Sequence, residues 1–404
     1  MQPSKLTWQD SSDRPPERLV SDDMKSGERQ DYRGQIAVIC PGGLENGGGI
    51  GRQMGYALKA LEGRTHGIDY RVIDSRGPWF LGASRIHTAG ALVYLAGALA
   101  KLLALRLSPK RTFIHVNVTG RGSTLRKLVL STCLRGLRLP YLLHVHDYAY
   151  AADYSKRGPF MQRRVRGMFR AADRVLVLGM GERQRMIDAM LLDPAKVVVL
   201  HNAVPDPLEV DPPGPHEKSG PIRIAFLGHL SERKGVPDLL NALADQTIIG
   251  LDWRATLAGG GDIPRYAKLA ESLGIADKVT FPGWINQQAA SQLYREADVV
   301  VLPSYAEGMA MSVLEGLSYG LTVVTTPVGA HDEVIEDGQS GLLVAPGDVP
   351  GLAKALRRVI TEPLLRTFLG GNARLTFLEK FEVGAYGSKL VRMHAALLAN
   401  RSQS

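Results

Sequence analysis

The sequence predicts an α/β protein built as two doubly wound, Rossmann-like parallel-sheet domains. Three observations carry that expectation. At 404 residues the chain exceeds one ordinary core, and its 45% apolar and 22% charged residues suit a globular protein. Short apolar runs alternate with helical patterns in both halves, as strands joined by crossover helices do. A Pro- and Gly-rich stretch of mixed charge, 206–221, separates the halves as a linker.

In chain order, residues 1–34 are polar, rich in Ser, Asp, Arg and Pro, and read as a disordered tail. Residues 35–205 form the first domain. Ile36–Cys40 is its first strand, running into the glycine-rich turn 41–52, with a helix from about Gln53. A glycine turn between first strand and first helix lets a phosphate or sugar approach the backbone. Arg71–Asp74 is a second strand. An apolar helix follows from Ala89 to Leu107. It is shorter than the ~20 apolar residues a membrane span needs, so it reads as buried or interfacial. Thr112–Val118 is a third strand, followed by a basic helix over Leu125–Arg138. Pro140–Asp147 is a fourth strand. His146 stands at its carboxyl end, where ligands of open α/β sheets sit. Residues 156–170 interleave Lys and Arg with Phe160, Met161, Val165, Met168 and Phe169. That pattern suits either an anionic bilayer surface or a solvated basic face over a core stripe. Arg174–Leu178 and Val197–Leu200 complete the sheet.

Residues 222–384 form the second domain. Ile222–Leu227 is a strand, followed by the turn Gly228–Gly235 and a helix from Val236. A strand ending at Leu257, a helix over 264–273 and the segment Val279–Trp284 come next. The apolar run Asp298–Leu302 is a buried strand, and a helix begins after Ser312. The turn between them holds Glu307 and Gly308, and Glu315 lies in the helix. A helix start offers free N–H groups and positive dipole, and two carboxylates accept hydroxyls. Together they fit a ligand carrying both phosphates and hydroxyls. Thr322–Thr326 is another strand. The last helix, about 385–404, crosses back onto the first domain.

Charge is uneven. Residues 35–205 carry 25 Lys/Arg against 10 Asp/Glu, whereas 206–404 carry 18 against 23. The halves therefore meet different partners, an anionic one on the first. Aromatic content of 6% and the lack of a nucleic-acid module rank nucleic acid last among such partners, and none is expected. Cys40 and Cys133 form neither a metal pair nor a disulfide framework, which fits a reducing cytoplasm. The first thirty residues hold no apolar signal region.

The Glu307-x7-Glu315 stretch resembles the signature of the retaining, metal-independent glycosyltransferases of family 4, group 1, which have the GT-B fold of two Rossmann-like domains facing a cleft. Gly228-His229, four residues and Lys234-Gly235 resemble the same family's phosphate-binding segment. The glycine turn with Gly49 and Gly51 resembles its first-domain loop, and 338–344 also matches in order. His201-Asn202-Ala203-Val204 keeps Asn202 and Val204 of the family's usual Pro-Asn-Gly-Val. The resemblance implies that Glu307 contacts the donor sugar and Glu315 the ribose. It implies that the amides of Met309, Ala310 and Met311 hold sugar and diphosphate, that Lys234 neutralises the diphosphate, and that His146 lies near the reacting sugar. The family's arginine is replaced by His229, with Arg233 as the substitute charge. Trp284 or Ile285 would flank the base, unless Trp284 is a core aromatic.

The function so implied is transfer of a hexose from a nucleotide-diphosphate sugar to a saccharide hydroxyl, with retention and with neither metal nor other cofactor. No Asp-x-Asp occurs in the chain. The basic first half favours a lipid-diphosphate-linked acceptor at the cytoplasmic membrane face, as in bacterial surface-polysaccharide assembly. A soluble sugar acceptor, a nucleotide-sugar epimerase on the same fold and a non-catalytic binding relative are the alternatives. The sequence sets neither the sugar, the base nor the oligomeric state.

Overall fold

The computed structural model describes residues 34–44, 48–65, 67–77, 85–120, 122–210 and 220–399. The tail up to residue 33, 45–47 of the glycine turn, 211–219 of the linker and 400–404 of the last helix lie outside the described residues. Gly34, expected in the tail, is the first residue of a strand.

The first domain runs β1 (Gly34–Cys40), α1 (Gly48–Ala60), β2 (Ile68–Asp74), α2 (Arg85–Leu107), β3 (Thr112–Val118), α3 (Gly122–Gly136), β4 (Tyr141–Val145), α4 (Tyr150–Ser155), α5 (Pro159–Ala171), β5 (Arg174–Val177), α6 (Met180–Met190) and β6 (Val197–Val199). Its six strands lie in the order β2-β1-β3-β4-β5-β6, all parallel. All seven residues of β1 are buried, as a parallel strand covered on both faces requires. A short helix, α7 (Pro207–Val210), opens the linker.

The second domain runs β7 (Ile222–Leu227), α8 (Val236–Leu243), β8 (Trp253–Ala258), α9 (Ile263–Ser272), β9 (Val279–Gly283), α10 (Gln287–Glu296), β10 (Val299–Leu302), α11 (Met311–Ser318), β11 (Thr322–Thr325), α12 (His331–Val334), β12 (Leu342–Leu343), α13 (Val349–Thr361) and α14 (Pro363–Lys380). The order β12-β11-β10-β7-β8-β9 reverses direction between β7 and β10. That reversal opens a crevice at the carboxyl ends of these two strands. α15 (Val383–Ala399) packs on α1 and β3 of the first domain, with Tyr386, Leu390 and Val391 in that domain's core. Val204 and Val383 exchange backbone bonds of 3.1 and 3.0 Å with Phe381 and with each other where the chain passes between domains, and Arg374 pairs with Asp206 at 2.6 Å.

Several expected boundaries move. The helix after the glycine turn starts at Gly48 rather than Gln53, so Gly49 and Gly51 lie in its first turns. Gly51 is tight: a Cβ there would sit 2.6 Å from Leu44 O. α2 begins at Arg85, not Ala89, and its Gly90–Leu107 segment is long and apolar enough to cross a membrane by length and composition. Only 22% of that segment is buried. Ala98, Leu102 and Leu105 pack in the first domain's core, while Leu92, Val93, Leu103 and Leu107 face outward, so the helix is mostly exposed rather than buried. The basic helix α3 ends at Gly136, because Arg138 turns left-handed at φ 55°.

Candidate functional site

The site grows from the loops after β7 and β10, the two strands at the sheet's reversal. The Gly228–Gly235 turn closes on Gly235 at φ +69°, where a Cβ would strike Pro303 O at 2.0 Å. Only glycine fits this contact between the two loops. Arg233 and Lys234 are thereby set beside the second loop. Lys234 Nζ lies 2.7 Å and Arg233 Nη1 2.9 Å from the same oxygen of Glu307. Arg233 also donates to Ala306 O, and its guanidinium lies 5.8 Å from the Tyr148 ring of the first domain. Glu307 and Lys234 are both largely buried. Two cations on one carboxylate oxygen leave positive charge in excess, so the cluster can take a further anion.

Gly308 fits under Leu178 and His146 O of the first domain, and Gly329 (φ +68°) supports the loop from below. A Cβ on Gly329 would sit 2.3 Å from the carbonyls of both Glu307 and Gly308. α11 begins at Met311 with an uncapped start, and its first N–H groups lie outside the helical ladder. Ala310 departs from the expected free amide: its N–H donates to buried His331 Nε2 at 3.3 Å. His331 Nδ1 donates in turn to Thr326 O at 3.2 Å, which makes the ring a neutral strut, and burial lowers its pKa. Met309 is clamped by Asn202, whose N–H reaches the Met309 sulfur at 3.0 Å and whose Nδ2 donates to Met309 O at 3.1 Å.

Glu315 stands apart from Glu307. Tyr294 OH donates to its Oε2 at 2.8 Å, and Arg52 of α1 pairs with its Oε1 at 3.3 Å across the domain boundary. Burial raises its carboxyl pKa, with Arg52 and Tyr294 pulling the other way. Glu315 lines a cleft of about 910 Å³ with Gly51, Arg52, Tyr56 and Tyr319. Glu307 and Gly308 line a separate small cavity with His146, Tyr148, Leu178 and Glu182. The structure thus brings His146, Glu307, Gly308, Arg233 and Lys234 together, and Gly51 with Glu315. It leaves His229 and Gly49 exposed. Trp284 is 78% exposed on the loop after β9, so it is no core aromatic.

His146 follows β4, and its Nε2 donates to Asn117 Oδ1 at 2.8 Å. Its ring lies 4.0 Å from that of His144. Behind them a buried chain runs across the sheet to α15: His144 Nδ1 to His115 Nε2 at 3.2 Å, His115 Nδ1 to His394 Nε2 at 3.2 Å, and His394 Nδ1 to Tyr70 OH at 3.0 Å. Burial lowers the pKa of all four imidazoles, so they are neutral at pH 7. With Nε2 spent on Asn117, Nδ1 is left as the acceptor of His146, a residue that lines the small cavity beside Glu307.

Glu182, on the first turns of α6 after β5, is the residue that sequence reading missed. Arg185 holds its Oε2 at 2.9 Å, while its Oε1 is buried without a partner. Burial pushes the carboxyl up to about 7. Its only sequence signal was position, just past the carboxyl end of a strand. Among the described residues no group of three or more His, Cys, Asp or Glu could hold a metal ion.

The family model described as "Glycosyl transferases group 1" matches residues 210–376, and "Glycosyl transferase 4-like domain" matches 35–203. Together the two glycosyltransferase models cover both parallel-sheet domains, one model to each. The α-D-kanosaminyltransferase of Streptomyces kanamyceticus is 29% identical over 172 residues, 42% of this chain and 45% of that one. The chain spans less than half the length of such curated relatives. Among solved structures, sucrose-phosphate synthase from Thermosynechococcus elongatus superposes with TM-score 0.72 at 20% identity, over 91% of this chain and all of that one. Anabaena HepE, in complex with UDP and glucose, superposes with TM-score 0.68 at 16% identity, over 90% of this chain and all of that one. Both share the GT-B fold, with two parallel sheets and flanking helices.

Proposed function

We propose that this glycosyltransferase moves a hexose from a nucleotide-diphosphate sugar to a hydroxyl of a lipid-diphosphate-linked saccharide, with retention and without a metal, in surface-polysaccharide assembly at the cytoplasmic membrane face. The observation that carries the reading is the Arg233–Lys234–Glu307 cluster. It holds two cations and a carboxylate at the switch point of the second sheet, and Glu307 lines a cavity with His146. HepE, of the same fold, holds UDP and glucose.

In the reaction the bond between the anomeric carbon and the diphosphate oxygen breaks, and its electron pair stays with the diphosphate. The acceptor oxygen bonds to the anomeric carbon, and its proton leaves with the diphosphate. Lys234 and Arg233 swing from Glu307 to the diphosphate, stabilising the charge that develops there. Glu307, so released, accepts a sugar hydroxyl, and His146 Nδ1 accepts another from the opposite side. Glu315 accepts the ribose, displacing Arg52. The Met309 and Met311 amides at the α11 start face the phosphates.

The membrane part of the reading rests on exposed apolar side chains amid basic ones. On α5, Phe160 is 74% exposed beside Arg163 and Arg164, and α2 turns Leu92, Val93, Leu103 and Leu107 outward. Such faces bind anionic bilayers. The test is label transfer: the protein is incubated with radiolabelled UDP- and GDP-sugars, EDTA and membranes of a bacterium that makes surface polysaccharide. Label moving into the lipid extract supports the reading. Label appearing only in water-soluble oligosaccharide, or only when a divalent metal is restored, contradicts it.

A further inference from the structure

Glu182 of α6 is 7% exposed and stands on the wall of the small cavity bounded by His146, Tyr148, Glu307 and Gly308. Arg185 fixes one of its oxygens twice over, with Nε at 3.0 Å and Nη2 at 2.9 Å from Oε2. Among the described residues Oε1 is buried and meets no donor. A carboxylate at a helix start ordinarily serves the free N–H groups there. That task is taken: Glu333 of the second domain accepts from the N–H of Met180 at 2.6 Å and from that of Gly181. The other acids on the cavity wall are engaged. Asp147 accepts from the N–H groups of Gly120 and Ala149 at 2.7 and 3.0 Å, and Glu307 holds Lys234 and Arg233. A carboxylate oxygen buried without a donor costs stability, and a donor arriving from outside removes that cost.

The cavity admits such a donor. It is not sealed: Arg185 on its wall is exposed, and His146, Asp147, Tyr148, Gly308 and Gly329 are each half-buried. Its volume of about 10 Å³ holds one group the size of a water molecule or a hydroxyl. Its walls come from both domains, with Glu307, Gly308 and Gly329 from the second and the rest from the first. Glu307 and His146 are the residues that receive donor-sugar hydroxyls in the transfer proposed above. A sugar held between them therefore lies against Glu182 as well.

We infer that Glu182 determines which donor sugar is taken: its free Oε1 accepts one hydroxyl of the sugar being transferred, so donors carrying a hydroxyl at that position are preferred. This rests on the transferase reading above and adds a first-domain residue to the sugar's recognition. A site that hydrogen-bonds a hydroxyl rejects the analogue lacking it, because the buried oxygen is then left unpaired. The contact also depends on pH. Burial pushes the Glu182 carboxyl up to about 7, with Arg185 drawing it down and Asp147 pushing it up. The other titratable or charged groups on the cavity wall are Tyr148, Glu307 with its two cations, and His146, which burial keeps neutral. As the pH rises through about 7, Glu182 becomes an ionised acceptor and its bond to the hydroxyl strengthens.

The test is calorimetry on the full chain with UDP-glucose, UDP-galactose, UDP-N-acetylglucosamine, GDP-mannose and ADP-glucose, and with UDP, GDP and ADP alone. For the donor that wild type binds best, Glu182→Gln is expected to weaken the sugar nucleotide at least about fivefold. The matching nucleoside diphosphate, which lacks the sugar, should stay within about twofold. The gap between wild type and Glu182→Gln should widen from pH 6 to pH 8, and one monodeoxy form of the donor should bind both alike. Arg185→Gln, at an exposed position, keeps Glu182 but removes the cation that draws its carboxyl down. It carries the test if Glu182→Gln does not fold: its preference for sugar nucleotide over diphosphate should set in at higher pH than in wild type. Four results overturn the inference: equal loss of sugar nucleotide and diphosphate in Glu182→Gln, no loss of either, a loss confined to label transfer into lipid, or an Arg185→Gln pH profile that coincides with wild type. Each leaves the transferase reading standing; failure of wild type to bind any sugar nucleotide sinks that reading instead, and this inference with it.

Discussion

Glu315→Gln is the substitution whose effect the geometry fixes most closely. The carboxylate accepts from Tyr294 at 2.8 Å and from Arg52 at 3.3 Å, and only about 13% of the side chain is exposed. Glutamine keeps shape and one oxygen for Tyr294, so the fold survives. The lost Arg52 pair is partly exposed, with Arg52 at 42%, and contributes under about 1 kcal/mol. The loss falls on the ligand. A hydrogen bond to a charged acceptor is worth about 1.5–3 kcal/mol, a neutral one about 0.5–1.5. Two ribose hydroxyls meeting an amide instead of a carboxylate therefore lose about 2 kcal/mol, roughly 30-fold in affinity. Calorimetry with the nucleoside diphosphate of the preferred donor reads this directly, and thermal melts confirm that the variant is folded. Arg52→Ala is the control: it removes the competing pair and leaves the ribose contact, so affinity should hold or tighten. If Glu315→Gln stays within threefold of wild type, Glu315 does not hold the ribose and the reasoning fails.

Three further outcomes are expected. Lys234→Met should weaken donor binding by one to two orders of magnitude, yet scarcely alter the urea midpoint, because Arg233 still pairs with Glu307; an unchanged donor affinity counts against the cluster's role. Gly329→Ala should cost about 1–3 kcal/mol in urea unfolding and weaken donor binding in parallel, since its Cβ collides with the carbonyls that shape the Glu307 turn; a neutral effect on both would show the turn to be soft. Acid should destabilise the protein steeply. Five histidines have folded pKa values below the unfolded ~6.5, so on acidification through that value the unfolded chain takes up protons the native one refuses. Glu182 and Glu315, raised by burial, act in the opposite sense. The histidines outnumber the two carboxylates, so stability is expected to fall as the pH drops below about 6.5. Urea midpoints at pH 7.5, 6.5 and 5.5 check it, and a flat profile refutes it.

The strands were legible because parallel strands buried on both faces read as unbroken apolar runs. Thr112–Val118 and Ile222–Leu227 stand where their runs place them. Helix starts were less so. α1 begins inside a glycine run that reads as loop, because its burial on α15 and the second domain outweighs glycine's weak propensity. α10 and α13 were overlooked although Asn286 and Asp348 cap them, with their side chains accepting from Ala289 and Gly351 N–H. In the site, Glu307, Arg233 and Lys234 were singled out by the family resemblance, and the structure adds that the three form one ion cluster. Glu182 and the buried histidine chain were not readable. Each depends on residues far apart in sequence meeting at strand ends: His115 and His394 are 279 positions apart. The excess charge of 35–205 gave the expectation of an anionic partner but no position for it.

The most direct measurement is donor binding and slow donor hydrolysis across UDP-, GDP- and ADP-sugars with EDTA present, on wild type and Glu307→Gln. The account predicts that one nucleotide class binds and releases sugar despite the chelator, and that Glu307→Gln keeps the nucleotide but loses hydrolysis. If no donor binds, or if hydrolysis is indifferent to Glu307, the chain does not work as a sugar-nucleotide transferase through this site.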